Sequence, residues 1–223
     1  MLRSGAETHF NCHPPILPAR CLPLPGMLSM TVFESLAAIF GVVSVILARY
    51  AHIGVFPTGL VSTLLYIYIC LTAGLYADMG INVWYSLLSV YGWWRWSRPQ
   101  SGQTERPVAW ANNRMRLGSL LLFLGSWLLL YQLLLHQTDS SVPLADAFTT
   151  ALAIAGMYLM AEKKIENWLV WIVVDVASVF LYLHKGYWIS ALQFAVFTGL
   201  AIWGFVGWRQ IIRNQSQSVA RNS

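Results

Sequence analysis

Seven long apolar segments follow one another along the chain, separated by short polar stretches. Residues 55–77, 117–135 and 186–208 contain no charged residue. A helix rises about 1.5 Å per residue, so about 20 residues cross the roughly 30 Å apolar core of a bilayer. Backbone groups cannot remain unpaired in lipid, so these segments must be helical. The pattern predicts transmembrane helices over 33–50, 55–76, 79–97, 117–136, 144–161, 166–184 and 187–209.

The composition agrees with a membrane protein. Hydrophobic residues make up 57% of the chain and charged residues 10%, whereas a soluble domain carries about 25% charged residues. The net charge of +5 lies in short loops, which is the pattern that orients membrane proteins and does not indicate nucleic-acid binding. With the N-terminus outside, eleven Lys and Arg residues face inward and three face outward. We expect a multi-pass protein of the bacterial inner (plasma) membrane, with a periplasmic N-terminus and a cytoplasmic C-terminus.

An internal repeat relates the two ends of the chain. A shift of 112 residues aligns YGWWRW (91–96) with WGFVGW (203–208) without a gap. The same shift brings together charged, glycine and tryptophan positions: Glu34 with Asp146, Gly74 with Gly186, Gly92 with Gly204, and Trp96 with Trp208. Three helices plus a linker helix make four, so both copies cross the membrane in the same direction. The sequence thus predicts an all-α membrane protein of seven helices in a 3+1+3 parallel repeat.

The repeat sets the expected organisation of the chain. Residues 1–26 are polar and proline-rich, without the apolar segment of a signal peptide, and are expected to be disordered. Met27 and Met30 remain alternative starts. The further parts are a first three-helix repeat over 27–97, a cytoplasmic loop and linker helix over 98–143, a second repeat over 144–209, and a cytoplasmic tail over 210–223.

The sixth segment carries the most informative polar residues. Asp175 lies midway between Glu166 and His184, near the bilayer centre, where a carboxylate costs several kcal/mol unless it faces a protein or water-filled interior. Spacings of 3, 4, 3 and 4 place five residues on one helical face: Trp168, Trp171, Asp175, Ser178 and Tyr182. Asn167 lies one turn before Trp171. Aromatic planes with hydrogen-bonding groups between them suit a flat, polar solute, including a cation. The alternative is that Asp175 bonds to a neighbouring helix and the tryptophans pack.

Two other helices offer candidate lining residues. Helix three presents a stripe of Asn82, Tyr85, Ser89, Trp93 and Trp96. Helix seven presents Gln193 close to the position equivalent to Asn82. Amides in membrane helices also serve as contacts between helices, worth about 0.6 kcal/mol each. Their near-symmetric placement favours a role in lining a solute site, for which we select Asn82, Trp93, Trp96 and Gln193.

Several other chemistries lack their residues. The chain has no GxxxxGK[ST] phosphate loop, no lysine in the last helix for retinal, and no histidine in mid-helix for haem. Cys12, Cys21 and Cys70 suggest neither a disulfide framework nor a metal site. We expect no catalytic residue, no metal and no cofactor. A membrane enzyme using Asp175 with Glu34 or Asp146 is disfavoured, because the latter two lie at helix ends. A purely structural subunit is the other alternative.

Several motifs together resemble one family. LYAD (75–78), YGWWRW (91–96), ENWLVWIVVD (166–175) and KGYW (185–188) are similar to the PnuC-type vitamin transporters, over about residues 33–209. The resemblance implies a fold akin to SWEET sugar carriers and facilitated diffusion of nicotinamide riboside, with thiamine- and riboflavin-specific relatives. It also implies a homotrimer and a cytoplasmic kinase that traps the solute.

Individual positions carry the resemblance unequally. Asn167, Trp171 and Asp175 match the family's helix-six motif, and Trp93 and Trp96 match its aromatic motif in helix three. Asn82 stands where relatives usually have Gln, and VFPTG (55–59) lacks the Asn and Trp often found before its proline. The expected partners are therefore the lipid bilayer and a small vitamin, with nicotinamide riboside first and thiamine or riboflavin as alternatives.

Overall fold

The structure is a computed structural model that describes residues 25–73, 76–98, 106–137, 142–184 and 186–222. The predicted disorder of residues 1–24 lies outside these ranges. The described residues form seven α-helices, connected by short turns and one longer segment. They are α1 (Pro25–Arg49), α2 (Val55–Thr72), α3 (Tyr76–Trp96), α4 (Asn113–Gln137), α5 (Pro143–Ala161), α6 (Glu166–His184) and α7 (Trp188–Asn222).

The number of helices matches the prediction, but three boundaries were wrong. α1 begins eight residues earlier than predicted, at Pro25, where a proline is compatible with a first helical position. α4 begins four residues early because the Asn112 side chain accepts a hydrogen bond from the Met115 N–H at 2.9 Å and caps the helix. α7 continues thirteen residues past the predicted end, since no glycine or proline follows Gly207 to stop it.

Six of the helices in the described part of the chain are long and apolar enough to cross a membrane. α3 is the helix that falls short, although its 21 residues give sufficient length. It carries Asp78 and Arg95, and it is rich in Trp and Tyr, which count as weakly polar on hydropathy scales. Large apolar side chains face outward on the molecule, for example Leu121 and Leu128 of α4, which is the surface that a bilayer requires.

Six helices form a closed ring. Neighbours around it are α1 with α2, α2 with α3, α3 with α5, α5 with α6, α6 with α7, and α7 with α1. α4 lies outside the ring and packs against α5. The arrangement follows from the chain order, because a linker helix outside the ring lets α3 contact α5 directly.

The turn after α1 and the turn after α5 have the same backbone structure, 112 residues apart. Ala51 and Lys163 both adopt a left-handed conformation, with φ of 51° and 58°. Their N–H groups bond to the carbonyls of Ala48 and Met160, each at 2.9 Å. Further bonds, from His52 N–H to Leu47 O and from Lys164 N–H to Leu159 O, measure 3.0 and 2.9 Å. Both helices therefore end in the same type of turn.

The segment before α4 is attached to the turn after α5. Ala109 forms an isolated parallel bridge with Lys164. Its N–H donates to the Lys163 carbonyl at 3.3 Å, and its carbonyl accepts from the Ile165 N–H at 3.1 Å. The Ala111 N–H bonds to the Glu166 carboxylate at 3.0 Å. The backbone of residues 109–111 thus holds the α5–α6 turn in place.

Candidate functional site

The ring of six helices encloses a cavity of about 850 Å³. Its lining is mostly apolar and aromatic, with a few polar groups, as in small-molecule sites. Asn167 and Trp168 lie at the end near the α1–α2 and α5–α6 turns, and Asp78 and Asp146 lie at the opposite end. Asp78 is exposed, which marks that end as the mouth.

The six residues predicted on α6 all line this cavity: Asn167, Trp168, Trp171, Asp175, Ser178 and Tyr182. Four of them are buried, with Asp175 5% and Ser178 4% exposed. The alternating spacing of three and four residues explains this, because it keeps the residues on the face that turns towards the ring's interior.

The deepest polar groups retain unused hydrogen-bonding capacity. Asn167 is fully buried and its amide nitrogen donates to the Lys164 carbonyl at 2.6 Å. The Asn167 Oδ1 and the Trp168 Nε1 are buried without a hydrogen-bond partner among the described residues. Buried polar atoms are rarely left unpaired in a folded protein. This acceptor and this donor therefore offer contacts for a bound solute.

The cavity carries negative charge. Asp175, Asp78 and Asp146 line it, and the described lining contains no lysine, arginine or histidine. Asp175 has neither a hydrogen bond nor an ion pair with a described residue. Tyr85 from α3 lies close enough across the cavity to interact with it electrostatically. The arrangement favours a cationic solute and opposes an anionic one.

The four candidates on α3 and α7 lie outside this lining. Asn82 donates to the Asp78 carbonyl of its own helix at 2.9 Å. Trp93 is 42% exposed, and Gln193 is also exposed. The Trp96 indole is buried and donates to the Ala161 carbonyl at 3.1 Å. Solute contact at these four positions stays a prediction, without support from the cavity geometry.

Four buried rings close the inner end of the cavity, and we call them the aromatic floor. They are Phe56, Trp96, Trp208 and Trp168. Successive ring centroids are 4.8, 6.3 and 5.7 Å apart. Phe56 and Trp168 face the cavity, while Trp96 and Trp208 lie behind them.

Two indole hydrogen bonds hold the aromatic floor to the opposite half of the ring. Trp96 of α3 donates to Ala161 of α5, and Trp208 of α7 donates to the Ala48 carbonyl of α1 at 2.8 Å. Glycines make room for the rings: a Cβ on Gly92 would lie 2.3 Å from Phe56, and one on Gly204 would lie 2.5 Å from Trp168. These contacts obey the 112-residue shift, which pairs Phe56 with Trp168 and Gly92 with Gly204.

An ionic seam joins α3 to the end of α5. The buried Glu162 carboxylate bonds to Arg95 Nε at 3.0 Å, to Arg106 Nη2 at 2.7 Å and to the Tyr91 hydroxyl. Burial alone would raise the pKa of Glu162, but hydrogen bonds from Arg95 and Tyr91, together with the charge of Arg106, hold its pKa below the ordinary value. The seam is an ion pair whose lone pairs are satisfied.

The corresponding seam between α1 and α7 has different chemistry. The Arg49 guanidinium lies 5.1 Å from the Tyr50 ring centroid and 4.8 Å from that of Trp203. A Cβ on Gly207 would lie 2.2 Å from the guanidinium carbon, so the glycine is needed for this approach. Cation–π contacts thus replace the ion pair on this side.

Sequence reasoning did not select several lining residues as site candidates. Tyr85 and Ser89 line the cavity from α3, on the stripe whose Asn82 and Trp93 face elsewhere. Met157 and the Thr149–Thr150 pair line it from α5. Tyr85 had a usable signal, since it lies ten residues before the helix's arginine and within the predicted stripe. The α5 residues are ordinary in any apolar helix and had none.

Comparisons with known proteins follow the geometry. Residues 31–210 match the model of the family described as nicotinamide mononucleotide transporter. The chain is 24% identical over 208 residues to the nicotinamide riboside transporter PnuC of Escherichia coli, covering 82% of this chain and 87% of that protein. It is 26% identical over 137 residues to the riboflavin/roseoflavin transporter RibM of Streptomyces davaonensis, covering 59% and 63%. A crystal structure of the vitamin B3 transporter PnuC has a similar fold, with a TM-score of 0.64 and 23% identity over 82% of this chain and 83% of that one.

Proposed function

Because the chain belongs to the nicotinamide mononucleotide transporter family, as its motifs predicted, we propose that it carries nicotinamide riboside across the membrane. It is a multi-pass membrane protein of a transporter family. One observation carries the choice of solute: the cavity presents three aspartates and no basic residue among its described lining. The positively charged pyridinium of the riboside suits such a cavity, whereas the phosphate of the mononucleotide would be repelled.

Asp175 and Trp171 are the proposed centre of recognition. Asp175 neutralises the pyridinium, and the Trp171 ring provides a stacking surface for it. The unpaired Asn167 Oδ1 and Trp168 Nε1 at the deep end supply an acceptor and a donor for the hydroxyl or amide groups of the solute. We propose that Ser178 and Tyr182 complete the stripe towards the mouth.

The proposed mechanism is alternating access between two parallel repeats, with the solute bound at the membrane midplane. The identical turns after α1 and α5, and the paired contacts of the aromatic floor, support a SWEET-like 3+1+3 arrangement. Transport is by facilitated diffusion, without ATP. Assembly as a homotrimer and trapping of the solute by a cytoplasmic kinase complete the proposal as expectations from the resemblance.

We propose an inner-membrane location with all seven helices spanning and the C-terminus in the cytoplasm. The basic residues support this, since Arg95, Arg106 and Arg116 gather at the end of the ring that holds the aromatic floor. A cytoplasmic reporter fused after Ser223 should be active and a periplasmic one silent. Activity of the periplasmic reporter would contradict the orientation.

Riboflavin is the second candidate, because the chain is also similar to a riboflavin/roseoflavin transporter. Riboflavin is neutral and would gain nothing from the charge of Asp175. Thiamine is cationic and would use the same residues as the riboside. The role of Asp175 therefore separates riboflavin from the other two, and direct affinities separate the riboside from thiamine.

Calorimetric titration of the purified protein with the riboside, its mononucleotide, thiamine and riboflavin tests the proposal. At an effective dielectric constant of about 20, charges roughly 4 Å apart attract by about 4 kcal/mol, and desolvation offsets much of this. We expect Asp175→Asn to weaken riboside binding by about ten- to a hundredfold, and Trp171→Ala to have a similar effect. Trp188→Ala is the control, since Trp188 is 72% exposed and outside the cavity. Tighter binding of the mononucleotide, or unchanged binding by folded Asp175→Asn, would refute the assignment.

A further inference from the structure

Asp175 is a membrane-buried carboxylate without a counter-charge. It is 5% exposed, and no described residue hydrogen-bonds to it or forms an ion pair with it. A carboxylate withdrawn from water without compensation takes up a proton instead of remaining charged. The empty cavity and the loaded cavity therefore place different demands on this group.

The groups that face Asp175 offer no substitute positive charge. α5 contributes Asp146 at the mouth, and the described α7 lining, including Phe194 and Phe197, is not titratable. α3 contributes Tyr85 and Asp78, and α6 itself contributes Tyr182. α1 and α2 contribute only apolar residues, serines and a threonine. Each titratable neighbour is neutral or negative, so only a solute cation or a proton can neutralise Asp175.

We propose that the carrier exchanges its cationic solute for a proton, with Asp175 holding one or the other. This inference rests on the proposed function and states what returns through the empty carrier. A cation arriving at the open cavity displaces the proton from the Asp175 carboxyl. The O–H bond breaks, the proton passes to water on that side, and the solute becomes the counter-charge.

The return half of the cycle reverses these steps on the other side of the membrane. The solute leaves, a proton from water on that side forms the O–H bond, and the neutral empty carrier turns back. One cation enters and one proton leaves in each cycle. The exchange moves no net charge, whereas a carrier that returned with ionised Asp175 would move one positive charge per solute.

Two driving forces separate these cycles in vesicles reconstituted with the purified protein. Electroneutral exchange responds to a pH gradient and is indifferent to a potassium-diffusion potential set with valinomycin. We expect an acid interior to drive accumulation of labelled nicotinamide riboside up to the ratio of the proton gradient. Plain uniport of a cation gives the opposite result, since a charge moved across a membrane potential gains or loses energy with that potential. Accumulation driven by potential and not by pH would overturn the exchange.

Calorimetry provides a second readout that needs no variant. Binding of the riboside is measured in phosphate and in Tris, whose different heats of protonation reveal the number of protons released. We expect release of about one proton per solute at mildly acidic pH, falling towards zero at alkaline pH. Binding with no proton release across that range would remove the exchange and leave the proposed function intact. Failure of the folded protein to bind either the riboside or thiamine would remove both.

Variants locate the effect. Asp175→Asn should bind more weakly and release no proton, and its remaining transport should follow the membrane potential instead of the pH gradient. Asp78→Asn is the matched control, because it removes an exposed carboxylate at the mouth of the same cavity. It should keep both proton release and the response to the pH gradient. Proton release that persists in Asp175→Asn and disappears in Asp78→Asn would refute the assignment to Asp175.

Discussion

Replacing Trp208 by phenylalanine tests whether the aromatic floor holds the two halves of the ring together. The indole is fully buried and its Nε1 donates to the Ala48 carbonyl at 2.8 Å. That carbonyl also accepts from the Ala51 N–H at 2.9 Å, so the substitution does not leave it unpaired. The loss is therefore a hydrogen bond worth about 1 kcal/mol, without the larger penalty of an orphaned group.

The ring contacts add a comparable amount. Trp208 lies edge-to-face with Trp168 at 5.7 Å and is tilted against Trp96 at 6.3 Å. Aromatic pairs contribute about 0.5–1.5 kcal/mol each, and a phenyl ring retains part of this. We expect a total loss of about 2–3 kcal/mol, which for a chain of this size lowers the melting temperature by roughly 4–12 °C.

Thermal unfolding of the detergent-solubilised protein, followed by the monomeric peak in size-exclusion chromatography, measures this change. Trp93→Phe is the matched control, because Trp93 is 42% exposed and is not part of the aromatic floor. Trp96→Phe should resemble Trp208→Phe, since its indole bonds to Ala161 in the same manner. Equal melting temperatures for Trp208→Phe and Trp93→Phe would refute the reasoning.

Two further predictions concern stability. Gly204→Ala would bring a Cβ to 2.5 Å from the Trp168 ring and should destabilise the protein by about 1–3 kcal/mol; Gly199→Ala in open space is the control, and equal thermal shifts for both would contradict the packing argument. Glu162 has a lowered pKa, so its stabilising effect is complete above the unfolded-state pKa and is lost as the pH falls through the folded value. Glu162→Gln should thus be less stable at neutral pH and show a flatter acid limb in thermal unfolding measured against pH, whereas an unchanged acid limb would show that other groups dominate.

The helices and the α6 side of the cavity could be predicted because both depend on local periodicity. An apolar segment of sufficient length must be helical in lipid, and a face of alternating three- and four-residue spacings must turn inward if it carries Asp175. The helix ends were less certain, since Asn112 acts through a single side-chain hydrogen bond. The end of α7 depended on what was missing after Gly207.

The α3 stripe shows where periodicity stops being sufficient. Asn82, Tyr85 and Trp96 are compatible with one face, yet the cavity takes Tyr85 while Trp96 packs behind Phe56. The difference depends on the neighbouring α5 and α7, whose positions are set by contacts more than 60 residues away in sequence. The attachment of Ala109 to the α5–α6 turn uses backbone atoms, so side-chain patterns carried no signal for it.

The separation of these partners along the chain has a consequence for biosynthesis. When the ribosome has completed α4, Trp96, Arg95 and the 109–111 segment have already been made, but Ala161, Glu162 and Lys164 have not. The first three helices can therefore enter the membrane with their inner end still open to water and to chaperones. Emergence of α5 and the turn that follows it is the step that closes this end, so the first half matures only when the second half arrives.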